Sequence, residues 1–523
     1  MLLNTIRNNV RRGNLILQKI FRRNTHETSS LQIVPENSDK INNKTNKFNI
    51  IVAHTKDHGI GFNNGLPWKS IKKDMDFFRK LTIGNNYENK YTKNAVIMGR
   101  KTWESIPAKF KPLPNRQNIV ISKTIQEELH NENIKVFRSL DKALDFSYDS
   151  PEINDVFVIG GGGIYKEAIN HINDLNRLFI TEVKQNYDVD TYFPKKPGWI
   201  KKLGMYYSDK DIDINVYENM ANTHSEEYKY LECMKDILKH GELIEKDRTG
   251  VGTISLFDKN MKFNIKTLDT NEYEYYYEYP IYQVPIMTTK NLFIRGVFEE
   301  LLWMMRGQTD ANILKDKHVH IWDGNTSREY LDSKGLYDYP EGEMGPGYGY
   351  QWTNWGGTGI NQFQYVIDTL KNEPASRKAL VSGWNVADLN DMALEPCHVM
   401  YIFKVSGHKL DKPRLNCKVI LRSNDMFLGN PFNIMTGTFM TIFLSQILGM
   451  IPGQIAMSIS DAHIYSNHIT QVQKQLKRVP LKQPYLQITK NIESLDDVLN
   501  LSYDDVKLYN YYSWPGIKAP MAV

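Results

Sequence analysis

The sequence predicts an α/β unit built on a doubly wound, mainly parallel sheet with helices on both faces, followed by a larger second unit. From Phe48 onward short apolar runs over residues 48–53, 95–98, 118–121, 156–159 and 177–183 alternate with amphipathic helical stretches, the pattern of a parallel sheet covered by helices. That pattern closes near residues 216–220, and a polar join leads into a new helix predicted over residues 228–239. A chain of 523 residues, 41% hydrophobic and 11% aromatic, is long enough for more than one core. The expected organisation is therefore a leader and flexible segment over 1–47, a first unit over 48–220, a linker over 221–227 and a second unit over 228–523.

Residues 1–47 hold nine Lys and Arg against three acids, so they account for +6 of a net charge of +5 and leave the remainder at −1. The pI of 8.6 belongs to the leader, and the body carries no electrostatic footprint for nucleic acid. Within residues 1–26, which lack acids, Leu3, Ile6, Val10, Leu17 and Phe21 fall at helical spacing among arginines. Such a basic amphipathic helix resembles a mitochondrial transit peptide, and a disordered basic tail reads equally well. The expected location is mitochondrial in the first case and cytoplasmic in the second. Three separated cysteines, Cys233, Cys397 and Cys417, support neither a disulfide framework nor a thiolate metal site and point to a reducing compartment. The apolar run over 435–451 is broken by Thr436, Gly437, Ser445, Gln446 and Gly449, so it reads as a core helix and no membrane span is expected.

In the first unit a Gly-containing loop closes on Leu66-Pro67-Trp68, and Asp74 follows at the start of a helix. Ile71, Met75 and Phe78 share its helical face, which sets the carboxylate among apolar groups and should raise its pKa. Alone, Asp74 would read as an ordinary acid at a helix N-terminus. Gly99-Arg100-Lys101-Thr102 joins a strand to a helix with cations at its start, a combination suited to phosphate. Gly160 to Gly163 make a second such crossing, with a helix expected from Ile164; glycine there lets backbone approach a cofactor.

These motifs, in this order over about residues 48–220, closely resemble dihydrofolate reductase. The resemblance implies that Asp74 pairs with the pteridine ring of dihydrofolate and supports protonation of N5, assisted by Thr181. It implies that Phe78 and Ile106 wall the substrate and that Arg116 receives its glutamate carboxylate. NADPH would lie along Ala53, Gly99, Arg100, Lys101 and Thr102, with Ser122 and Lys123 near its 2′-phosphate and Gly161 and Gly162 beside the nicotinamide.

In the second unit Asp247-Arg248-Thr249-Gly250 suits closure on a phosphate. On the helix through residues 298–303, Glu299 shares a face with Arg295 and Arg306 and reads as solvated, whereas Glu300 lies between Val297 and Met304 and reads as inward. An inward Glu needs a partner or a proton and is a site candidate. Cys397, between Pro396 and His398, would by itself read as a buried structural thiol. Trp322, 345–349, 376–378, 422–425, 431–433, 461–465 and 515–518 complete a series that looks like thymidylate synthase over residues 228–523, an α+β fold.

That resemblance gives Cys397 the role of the thiolate attacking C6 of dUMP. Arg248, Arg422 and Ser423 would bind the phosphate, with Arg377 and Lys378 arriving from the second subunit of a homodimer. Asn433 would read the pyrimidine edge, His463 and Tyr465 would hold the ribose, and Glu300, His398 and Tyr348 would order waters and proton transfers at C5. Asp425, Trp322, Tyr348 and the C-terminal residues would embrace 5,10-methylenetetrahydrofolate, whose product dihydrofolate is the substrate of the first unit. Five positions depart from the usual synthase pattern: Lys378, Leu421, Asn424, Ser460 and Thr353; the Tyr/Glu-rich stretch 271–280 also looks inserted. They leave open a second reading, a working reductase fused to a weakly active synthase fold serving as a dimerisation scaffold.

Overall fold

A computed structural model describes residues 46–84, 92–124, 133–246, 249–268, 278–408 and 410–521. The basic leader, Asp247, Arg248 and most of the Tyr/Glu-rich stretch lie outside the described residues. Two compact units meet in the sequence between Thr223 and His224.

The first unit is an eight-stranded sheet of β1 (Phe48–Thr55), β2 (Lys93–Gly99), β3 (Arg116–Ile121), β4 (Ile134–Phe137), β5 (Ile153–Gly160), β6 (Leu175–Val183), β7 (Ile200–Ser208) and β8 (Ile212–Asn219). Its order is β4-β3-β2-β5-β1-β6-β8-β7. The first six strands in that order pair in parallel, and β8 runs antiparallel to both β6 and β7. β4 is only four residues long and β7 is largely exposed, so neither carries the apolar run by which the other strands are legible. Val96 and Met98 pack with Phe77, Phe78 and Leu81 of α1 (Lys72–Ile83), while Ala95 and Ile97, which point to the opposite face, are equally buried. Both faces are thus covered. The glycine crossing after β2 enters α2 (Arg100–Ser105), and the one after β5 enters α3 (Gly162–Ala168), two residues before the expected start at Ile164.

The second unit opens with α4 (Glu227–His240) and contains a six-stranded sheet. Its strands are β9 (Glu242–Ile244), β10 (Thr253–Asn264), β11 (Leu380–Ser382), β12 (His398–Ser406), β13 (Arg414–Asp425) and β14 (Ile451–Tyr465), in the order β9-β10-β14-β13-β12-β11. Only β13 and β14 pair in parallel. A smaller sheet joins Lys266–Thr267, Ile281–Gln283, Tyr485–Ile488 and Val506–Tyr509.

α5 (Ile294–Met305) and α6 (Gly429–Ile447) form the centre, with α6 packed on β13, β14 and α5. α6 is apolar and buried around most of its circumference because it has a partner on every side, the condition under which a helix needs no polar face. The apolar run expected to form one helix over 435–451 divides: the helix ends at Ile447 and Ile451 begins β14. Among the described residues no helix is long and apolar enough to cross a membrane.

Candidate active sites

In the first unit, α1 starts after Ile71 with no side-chain cap, and Asp74 lies in its first turn. A helix dipole favours the anion there by about 0.3–1 kcal/mol, but burial outweighs it and raises the carboxyl pKa, while a hydrogen bond with Thr181 pulls the other way. Thr181 is buried on β6, directly opposite Ala53 of β1. Ile71 and Phe78 are partly buried, but Met75, expected on the same apolar face, is 43% exposed; as the residue next to Asp74 it stands about 100° round the helix from it.

Phe78, Ile106 and Leu113 line one border of the core around Trp103. Beside them the buried guanidinium of Arg116 donates to Thr82 Oγ1 (2.8 Å) and to the Pro114 carbonyl (3.1 Å) and lies 5.9 Å over the Phe78 ring. Burial lowers its pKa to about 10, and its charged neighbour is another cation, Arg79. A buried cation in that state favours an incoming anion.

The two glycine crossings meet. A Cβ on Gly160 would stand 2.9 Å from Thr102 Oγ1, and one on Gly161 would stand 3.0 Å from the same atom. Gly160 also has φ +149°, so a side chain there would be strained as well as crowded. Arg100 Nη1 donates to Thr124 Oγ1 at 2.8 Å, which ties the start of α2 to the turn after β3 that carries buried Ser122 and exposed Lys123.

In the second unit, Cys397 immediately precedes β12; its thiol is in no disulfide and partly exposed. Its backbone N–H donates to the Tyr348 hydroxyl at 2.6 Å, and the His398 N–H reaches the same oxygen at 3.4 Å. Arg422 braces the loop from β13: Nε donates to the Pro396 carbonyl (3.0 Å), Nη2 to the Glu395 carbonyl (2.8 Å) and its backbone N–H to the Cys397 carbonyl (3.1 Å). His398 is buried, with Nδ1 3.0 Å from the Tyr401 hydroxyl and a further hydrogen bond to Asn433 at the start of α6. Burial lowers its pKa to about 4, so the ring is neutral at pH 7.

Glu300 is 8% exposed and accepts from Trp322 Nε1 at 2.9 Å. Desolvation raises its pKa to about 7 against that single hydrogen bond. At the ends of β13 and β14, Ser423 Oγ is 3.4 Å from both Asp461 Oδ2 and His463 Nδ1, and His463 packs edge-on to Tyr465. Asp425 Oδ1 accepts the N–H groups of Phe427 and Leu428, and the Pro515 carbonyl accepts from Arg478 Nη1, which seats the C-terminal segment. Arg377 and Lys378 stand exposed ahead of β11.

Residues 47–212 match the family model of dihydrofolate reductase and residues 228–523 that of thymidylate synthase. The chain is 36% identical to bifunctional dihydrofolate reductase-thymidylate synthase 2 of Arabidopsis thaliana, an alignment covering 91% of this chain and 88% of that one. It is 36% identical to the Leishmania major bifunctional dihydrofolate reductase-thymidylate synthase (91% and 95% covered) and 34% to that of Zea mays (93% and 99%). The chain belongs to the bifunctional dihydrofolate reductase-thymidylate synthase family. It is an enzyme with both activities, a reductase unit followed by a synthase unit.

Within the synthase unit the expectation for Glu299 is overturned. It is not solvated: 7% exposed, it pairs with Lys317 Nζ at 2.6 Å, while Arg306 turns away to the Leu499 and Leu501 carbonyls. The departures from the usual synthase pattern are largely absorbed internally. Leu421 is fully buried, opposite His398 in the β12–β13 register, and faces the core where the adjacent Arg422 faces the loop. Asn424 accepts from Asn430 Nδ2 (2.6 Å), Thr353 donates to the Gly349 carbonyl (2.8 Å), and Ser460 is exposed. Two residues were not legible as site neighbours. Lys317 is eighteen positions from its partner, and Tyr401 has a strand position whose facing depends on the local register.

Proposed function

We propose that the synthase unit methylates dUMP through a covalent bond between Cys397 Sγ and C6 of the uracil, and that the reductase unit reduces the resulting dihydrofolate. The observation that carries the synthase half is the Cys397 loop, whose thiol is in no disulfide and partly exposed while its backbone is held by Tyr348 and Arg422. Arg422, Ser423 and Arg248 then receive the phosphate, Asn433 reads the ring edge, and His463 and Tyr465 take the ribose. Glu300, titrating near neutrality, holds or releases a proton at C5. Methylenetetrahydrofolate supplies the one-carbon unit and the hydride when bound beside Trp322, Asp425 and the C-terminal segment.

In the reductase unit Asp74 and Thr181 hold the pterin and favour protonation of its N5, and Arg116 anchors the glutamate tail. The contact of Thr102 with Gly160 and Gly161, where no side chain fits, suits close approach of NADPH, which supplies the hydride. Arg100, Lys101, Ser122 and Lys123 take its phosphates. The exposed Arg377 and Lys378 are offered to the second subunit of a homodimer. The comparisons lend no support to the scaffold reading.

The test is tritium release from 5-tritiated dUMP, together with trapping of 5-fluoro-dUMP and the folate as an adduct on Cys397 by mass spectrometry. The full-length enzyme releases tritium and forms the adduct. Cys397→Ser loses both, by at least about a thousandfold in rate, with its reductase turnover retained. Tritium release by Cys397→Ser at the wild-type rate would remove the nucleophile assignment.

A further inference from the structure

We propose that Tyr401 is a positioning residue of the synthase site: its buried hydroxyl donates to Nδ1 of His398 and so holds the imidazole as the tautomer protonated at Nε2, with that N–H turned to Asn433. This rests on the reading that His398 serves the synthase reaction.

The geometry begins with a β-bulge. On β12 the register with β13 slips between His398 and Met400, so that two steps along β12 match one along β13. Residues 398 and 401, which simple alternation would put on opposite faces, therefore point to the same side and are both buried. The hydroxyl and Nδ1 lie 3.0 Å apart, and the two rings meet edge to face at 5.8 Å. Trp352 also packs edge-on against Tyr401, at 5.7 Å.

The proton positions follow from the two partners. Burial pushes the Tyr401 phenol well above its ordinary pKa, so it keeps its proton and can donate. A neutral imidazole has one N–H and one bare nitrogen. The buried Tyr401 hydroxyl has no other hydrogen-bond partner among the described residues, so its proton is directed to Nδ1, and the remaining ring nitrogen is the one left for Asn433. Nδ1 is occupied by Tyr401, so Nε2 carries the ring hydrogen. Without the hydroxyl, the ring can turn or exchange its proton to Nδ1, and Asn433 loses the donor that orients its amide. Asn433 is the residue assigned to the pyrimidine edge, so the hydroxyl acts on the substrate through two intermediaries.

Tyr401→Phe in the full-length enzyme keeps the ring and removes only the oxygen. The synthase kcat is expected to fall about three- to tenfold, the usual worth of one buried hydrogen bond, with the KM for dUMP within about twofold. His398→Gln should lower kcat more, and adding Tyr401→Phe to it should lower kcat no further, since the hydroxyl acts only through that ring. Phe403→Leu, which disturbs the same buried side of β12 without touching His398, serves as the packing reference at matched melting temperature. An unchanged kcat in Tyr401→Phe beside a lowered one in His398→Gln overturns the proposal and leaves the reading of His398 standing. Additive losses in the double variant, or an equal loss in Phe403→Leu, assign the effect to packing and also overturn it. Full activity in His398→Gln overturns the underlying reading instead.

Discussion

Glu227 and Glu300 are two buried carboxylates of the synthase unit, 1% and 8% exposed, and they differ mainly in how many donors face them. Glu227, at the start of α4, accepts four hydrogen bonds, from the backbone N–H and the hydroxyl of both Thr288 and Thr289, at 2.6–2.9 Å. Among the described residues Glu300 has one, from Trp322. Burial raises both pKa values. The saturated carboxylate ties α4 to the segment before α5 and has little left to offer a substrate. The undersupplied one sits near its own titration point beside Trp322, whose ring packs on Tyr348, where gaining or losing a proton is easy. Donor count, rather than burial, separates a structural acid from a chemical one.

Four measurements break or sharpen that contrast. The largest effect is expected for Glu300→Gln, which should lower the synthase kcat by about 10²–10⁴ and remove the limb of the pH–rate profile near pH 7. The same substitution should remove one contribution to the pH dependence of stability. Because the folded carboxyl titrates near 7 and the unfolded one near 4.5, the native enzyme retains a proton that the unfolded chain loses. Its contribution to stability therefore falls as pH rises through that window, by up to about 3 kcal/mol; buried His398, whose pKa is lowered, contributes in the opposite direction in both proteins, so the fall is read as the wild-type minus Glu300→Gln difference in urea unfolding free energy between pH 5 and pH 8.

Asp74 extends the contrast to the reductase unit, where burial also raises a carboxyl held by few donors. Asp74→Asn should reduce dihydrofolate turnover about a hundredfold while synthase turnover stays within about twofold. The smallest effect belongs to the saturated acid. Glu227→Gln turns an amide N–H₂ toward two donors and should lower stability by about 2 kcal/mol, seen as a lower melting temperature, with synthase kcat within about twofold. A loss of kcat in Glu227→Gln comparable with that in Glu300→Gln would end the distinction by donor count.

Much of the reductase unit was legible because its strands are apolar and its motifs are local. Gly99 to Thr102, Gly160 to Gly163 and Asp74 each sit at a strand or helix end that can be read within a dozen residues. Their mutual contact, Thr102 against Gly160 and Gly161, was not, since it joins turns after different strands. In the synthase unit helical periodicity matches the inward side chain of Glu300 and not the burial of Glu299. Periodicity presumes a solvated face, and α5 has none at Glu299: packing surrounds it, and Lys317 supplies the partner that burial demands.

The sequence by itself determined the two units, the strand–turn–helix crossings and the inward Glu300. These follow from periodicity and from residue types whose chemistry is local. The tertiary structure alone decided which acids are satisfied, that Leu421 belongs to the core while Arg422 braces the loop, and that Tyr401 stands beside His398. Each of these depends on register and on partners distant in the chain; a single bulge after His398 reverses the facing of every later residue on β12, and composition does not encode where a ladder slips.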